Sequence, residues 1–228
     1  MTHPPDLFTE LLWQVGYAIC HQLPERSLLI AGQQLPVCAR DTGTMLAFGA
    51  VLLYYLLGRR WERAKLPDLA VLAAAAVGLG LYALDGLSSY IGLRETSNQL
   101  RLLSGLGMGL AVGCLMLSLL SALRGGDRAR RTFTWRDLVL LVPLLAAIFL
   151  AVQADLGLPW YYLVASLTVA FLVALMALLC YCFIRAAAGE RLPSRPLALP
   201  ALSVLAACGL LAGLWAFHRL TGAAVGLP

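Results

Sequence analysis

Residues 100–123 read LRLLSGLGMGLAVGCLMLSLLSAL, a run in which Arg101 is the single charged side chain. A helix of that length rises about 36 Å, enough to cross a hydrocarbon core of about 30 Å. Gly105, Gly109 and Gly113 recur at every fourth position, a seam of small residues that lets one membrane helix pack closely on a neighbour. Gly105-Leu106-Gly107 is not a nucleotide loop, because it lies within an apolar helix with no strand before it.

The same pattern extends to either side. Further apolar stretches occupy 42–58, 66–86, 138–154, 160–184 and 197–217, each of about 17–25 residues, the length a spanning helix needs. The chain is 61% hydrophobic and only 13% charged, with a mean hydropathy of +0.81. Soluble domains carry about a quarter charged residues, so the expected class is an all-α polytopic membrane protein with about six transmembrane helices. Cys114, Cys180, Cys182 and Cys208 lie within these spans, where cysteine serves as a small apolar filler. Trp61, Trp135, Trp160-Tyr161-Tyr162 and Trp215 fall near span ends as interfacial belts.

The charges between the spans give the expected orientation. Breaks 58–65, 124–137 and 185–196 hold twelve of the seventeen Lys and Arg residues. Short loops rich in these residues stay in the cytoplasm. Both termini, and everything ahead of residue 42, are then expected outside a cytoplasmic membrane. The excess of positive charge reads as topology and not as a nucleic-acid footprint. No echo links the first three spans to the last three, as an inverted-repeat transporter would require.

Ahead of the spans, Leu7, Phe8, Leu11, Leu12, Val15 and Ile19 form a helical stripe opposite Glu10 and Gln14. At about 20 Å the segment is too short to span and fits an interfacial helix. The first residues lack the basic region of a signal peptide, so the N-terminus is expected to be retained. Ser27–Ile30 and Gln34–Val37 flank Ala31-Gly32-Gln33 and read as a short hairpin. The expected organisation is residues 1–41 as interfacial helix and polar loop, 42–217 as membrane domain and 218–228 as a tail.

Reactive side chains concentrate in that first segment. Cys20, His21, Glu25, Arg26 and Ser27 lie before the hairpin turn, with Cys38, Arg40 and Asp41 after it. Asp85 closes the second span, and Asn98 and Arg101, three apart on one helical face, open the third at the same membrane level. His218 and Arg219 end the last span at that level too. A metal site built from Cys20, His21, Cys38 and Asp41 offers S, N, S and O ligands, and three protein ligands plus water make a catalytic zinc centre. The alternative is a Cys20–Cys38 disulfide, worth about 3 kcal/mol in an oxidising compartment. Arg26, Arg40, Arg94 and Arg101 either gather around a phosphate or carboxylate or tie the outer loops to Glu25, Asp41, Asp85 and Glu95. A carboxylate at the membrane, such as Asp85, is functional or paired.

Cys20-His21-Gln22-Leu23-Pro24-Glu25-Arg26-Ser27, Pro36-Val37-Cys38-Ala39-Arg40-Asp41-Thr42-Gly43 and Asn98-x-x-Arg101-x-x-x-Gly105 together resemble a prokaryotic integral membrane family catalogued as domain of unknown function 2085. The resemblance covers roughly residues 10–120 and implies no activity. In that family the position of Asp41 can be a cysteine, giving Cys-Ala-Arg-Cys. The exchange of one metal-ligand type for another favours a metal role and removes a Cys-x-x-Cys redox pair here.

Two functional classes follow. The first is a membrane enzyme with a polar, zinc-binding site, with His21, Arg40, Asp85, Asn98 and Arg101 in the chemistry. Arg26, Ser27 and Arg94 would hold an anionic lipid-linked or small substrate. The second is a transporter or channel with a vestibule at Asp85, which the lack of charge within the last three spans disfavours. A non-catalytic assembly protein stapled by a Cys20–Cys38 disulfide is a third reading.

Overall fold

The computed structural model describes residues 6–188 and 198–225. The expected break with Arg191 and Arg195 lies outside these residues. Two units emerge, one of residues 39–154 and the other of residues up to 38 together with those from 155 onward.

In the first unit, α1 (Leu7–Tyr17) is capped by Asp6, whose Oδ1 accepts the Thr9 N–H at 2.7 Å. Asp6 also accepts the Tyr162 hydroxyl at 2.5 Å. That hydroxyl and the Thr9 N–H hold the Asp6 pKa below the ordinary carboxylate range. The hairpin is present as β1 (Ser27–Ile30) and β2 (Gln33–Cys38), antiparallel, with Ile30 opposite Gln33. Its two-residue turn has φ of 53° at Ala31 and 72° at Gly32, the positive pair a type I′ turn demands. Alanine is strained there, and the Asp155 carboxylate compensates by accepting the Ala31 N–H at 2.9 Å. α6 (Leu158–Ala188) and α7 (Ala198–Val225) complete the unit. α7 runs on past the expected end at 217, so the expected tail is helical as far as Val225.

The second unit contains α2 (Ala39–Leu57), α3 (Leu69–Tyr90), α4 (Asn98–Leu123) and α5 (Trp135–Gln153). Asp68 starts two of them, its Oδ1 accepting from Val71 N of α3 at 3.1 Å and its Oδ2 from Trp135 N of α5 at 2.6 Å. The glycine seam of α4 packs on α2 backbone to backbone. A Cβ at Gly105 would stand 2.0 Å from the Arg40 carbonyl oxygen, and one at Gly109 would stand 2.3 Å from that of Thr44. Gly105→Ala is therefore expected to destabilise the protein by about 1–3 kcal/mol, read as a lower thermal midpoint in detergent, whereas unchanged melting would mean the helices part freely.

Long helices occupy all six expected stretches, and five of them, α3 to α7, are long and apolar enough to cross a membrane. α2 is the exception. Arg40, Asp41, Thr42, Thr44 and the Tyr54-Tyr55 pair dilute its apolar character, and 12 of its 19 residues are buried, against 4 of 22 in α3. Protein surrounds α2 where lipid would cover α3. Two strands were not expected: β3 (Arg63–Lys65) and β4 (Asp127–Arg131) pair in parallel between the helix ends.

Candidate functional site

In the first unit the chain leaves α1 and turns at Gln22, where φ is 54°. The Gln22 amide points inward and donates to the carbonyls of Trp13 and Pro36, both at 2.8 Å. Gln34 ties the strand to this turn by donating to the Gln22 carbonyl at 2.7 Å and to the Ser27 hydroxyl at 3.0 Å. Gly16 permits the approach of α1 to β2, since a Cβ there would meet the Pro36 carbonyl oxygen at 2.2 Å.

These constraints bring Cys20 and Cys38 together. Both are thiols, with sulfurs no more than 4.8 Å apart. The Cys38 backbone N–H donates to Cys20 Sγ at 3.2 Å. Two sulfurs on a tetrahedral zinc, each at about 2.3 Å, stand about 3.8 Å apart, so the pair fits a metal with a small adjustment. β2 ends at Cys38 and α2 begins at the next residue, which sets Asp41 one helical turn further along the chain. His21 turns the other way, as neighbours in extended chain do. Its exposed ring lies 4.8 Å from that of His218, whose Nδ1 is 2.8 Å from the Tyr17 carbonyl oxygen. The structure thus pairs the two cysteines and sends the expected imidazole ligand to another partner. Arg26 is exposed beside Glu25 at 4.0 Å, and Ser27 donates to the Leu23 carbonyl at 2.9 Å.

In the second unit the candidate residues converge on Asp85. α3 continues to Tyr90, so Asp85 lies inside a helix and not at its end, and it is 4% exposed. Arg40 of α2 donates to Asp85 Oδ2 through Nη2 at 2.6 Å and Nε at 3.1 Å. Arg94 reaches Oδ1 at 2.9 Å, and the Ser104 hydroxyl of α4 reaches Oδ2 at 3.2 Å. Two guanidiniums thus share one carboxylate, an arrangement with positive charge in excess. Asn98 Oδ1 accepts from Arg101 Nη1 at 3.0 Å, and Arg101 is buried. The Arg40 guanidinium also lies 5.4 Å over the Tyr82 ring.

A family described as "Predicted membrane protein (DUF2085)" matches residues 20–115. An uncharacterized protein of Methanothermobacter thermautotrophicus is 38% identical over 97 residues, which are 41% of this chain and 82% of that relative. The chain belongs to this family. An uncharacterized protein of Methanocaldococcus jannaschii is 35% identical over 101 residues, 44% of this chain, and the chain spans 63% of its length. No solved structure matches. The family match begins at Cys20 and includes every candidate site residue through Arg101, while α5, α6 and α7 lie beyond it. The resemblance carried by the two Cys-containing motifs is thereby confirmed at the level of a membrane protein family.

One cluster was not anticipated. At the other end of α2, Arg60 is 9% exposed and donates from Nη1 and Nη2 to both oxygens of Asp137, at 2.8 and 2.6 Å. Asp137 accepts the Tyr54 hydroxyl at 2.6 Å and the Thr134 N–H at 2.6 Å. The guanidinium lies 4.5 Å from the Tyr54 ring centroid and 5.7 Å from that of Phe133. The sequence places Asp137 in the break 124–137, but α5 begins at Trp135 and takes Asp137 into its first turn.

Proposed function

We propose that the chain is an integral membrane enzyme of the hydrolase or transferase type, with Cys20 and Cys38 holding a divalent metal of the zinc class. The observation that carries this reading is the convergence of the two sulfurs, one of them already accepting a backbone N–H. Two sulfur ligands leave the remaining positions of a tetrahedral metal for a further donor and for water or substrate. A metal there supplies Lewis acidity, which polarises an ester or phosphoryl oxygen or acidifies a water.

Arg40 and Arg94 would hold an anionic substrate by exchanging part of their pairing with Asp85 for a phosphate or carboxylate. Asn98 keeps Arg101 in a fixed orientation for the same task. His21 is the proton-handling group beside Cys20 in the chain. The surplus of arginines in the breaks at 58–65 and 124–137 supports an extracytoplasmic placement of this end.

The test is metal content. Purified wild-type protein is expected to hold about one equivalent of zinc, and Cys38→Ser to lose it while keeping its helical circular dichroism. Wild type without metal, and with Cys20 and Cys38 bridged in non-reducing mass spectrometry, would support the assembly-protein reading instead.

A further inference from the structure

We infer that the β3–β4 ribbon of the second unit is a docking surface for the phosphate groups of anionic phospholipids. This inference is independent of the metal reading.

The arginines of these two breaks first read only as a topology signal, which needs charge but no structure. The fold adds structure. All five residues of β4 are exposed, and the strand pairs on one side only, with β3. Side chains alternate along a strand, so Arg128 and Arg130 share one face. The ribbon is held in place from behind. The Thr132 hydroxyl donates to the carbonyls of Arg63 and Lys65 at 3.0 and 3.1 Å, and Arg131 donates to those of Leu66 and Pro67. The buried Arg60 reaches the Thr132 carbonyl at 2.9 Å.

Charge accounting at this end leaves cations without counter-ions. Its carboxylates are engaged elsewhere: Glu62 with Arg59, Asp137 with Arg60, Asp68 on two backbone N–H groups and Asp127 on that of Ala129. Arg63, Lys65, Arg124, Arg128 and Arg130 have no ion-pair partner among the described residues.

Position selects the partner. α4 ends at Leu123, four residues before β4; α3 begins at Leu69, four residues after β3; and α5 begins at Trp135, four residues after β4. Three candidate spans end at the ribbon, which puts it at the depth of lipid head groups. Trp61 and Trp135 flank it, carrying the guanidiniums of Arg59 and Arg136 at 5.9 and 5.6 Å, as interfacial aromatics do. A rigid row of cations at that depth meets phosphodiester anions first. Because the row is ordered, it should retain particular lipids beyond the general attraction that any basic loop exerts.

The experiment is native mass spectrometry of the full chain in detergent, titrated with phosphatidylglycerol or phosphatidylcholine. Wild type is expected to retain phosphatidylglycerol preferentially. The Arg128→Gln/Arg130→Gln double variant should lose about fivefold in affinity for each charge removed, and raised salt should weaken both. Arg219→Gln, which removes a charge from the other unit, should change nothing. Both ribbon side chains are exposed, so circular dichroism should be unchanged. Equal retention by wild type and double variant, or no preference over phosphatidylcholine, would overturn the inference. So would displacement of the lipid by inorganic phosphate at matched ionic strength, which would mark a site for the free ion, or tighter binding of a short RNA duplex than of lipid.

Discussion

Asp137→Ala is expected to destabilise the protein by about 3–5 kcal/mol, the range found when one partner of a buried ion pair is removed. The guanidinium of Arg60 would keep the Thr132 carbonyl and the Tyr54 hydroxyl but lose both carboxylate oxygens. With 9% of the residue exposed, water reaches it too little to replace them. The Thr134 N–H and hydroxyl at the start of α5 would also lose their acceptor. Asp137→Asn should cost less, because an amide oxygen can still accept from one donor. Scanning fluorimetry in detergent reads the difference. If alanine melted with wild type, Arg60 would have to be solvated, contrary to its burial.

Asp85→Ala is the second large effect, about 2–3 kcal/mol. The discount relative to Asp137 follows from exposure: the Arg94 side chain is 48% exposed and that of Arg40 19%, against 11% for Arg60. Water can therefore share in solvating the orphaned guanidiniums. Removing this carboxylate leaves two of them facing one vacated position, and sulfate or phosphate should fill it. Millimolar amounts of either anion are accordingly expected to restore part of the lost thermal stability in Asp85→Ala while leaving wild type unmoved. Destabilisation with no anion rescue would mean that Arg40 and Arg94 serve only to fix α2, α3 and α4 together, and the substrate role proposed for them would fall.

Much of the fold was legible because its causes are local. Apolar length marks the spans, and the Ala31-Gly32 pair between two short apolar runs marks the hairpin. The fourfold spacing of Gly105, Gly109 and Gly113 marks a close helix contact, and the partner proved to be α2. What escaped reading depends on tertiary partners. β3 and β4 carry no alternation of apolar residues, only charge, and their pairing exists because α3, α4 and α5 bring two basic segments side by side. Asp85 was read as a helix end, yet α3 runs on to Tyr90 and the carboxylate bonds Arg40, Arg94 and Ser104 from within the helix. α2 was expected to span like the others. Its polar first turns make sense once protein encloses it.

The candidate site was legible in its residue types more than in their arrangement. Cys20 and Cys38 are eighteen residues apart, and the hairpin brings them together as expected. His21 could not be placed by spacing, since adjacent residues in an extended segment face opposite ways. The inward turn of Gln22 decides the matter, directing the imidazole to His218.

Zinc K-edge X-ray absorption on the purified full-length protein tests the central claim most directly. The predicted result is a mixed shell of two sulfurs at about 2.3 Å and oxygen or nitrogen at about 2.0 Å, with the sulfur contribution halved or the metal lost in Cys20→Ser and in Cys38→Ser. A shell with no sulfur, or a metal-free protein whose Cys20 and Cys38 are recovered as one bridged peptide, would contradict it.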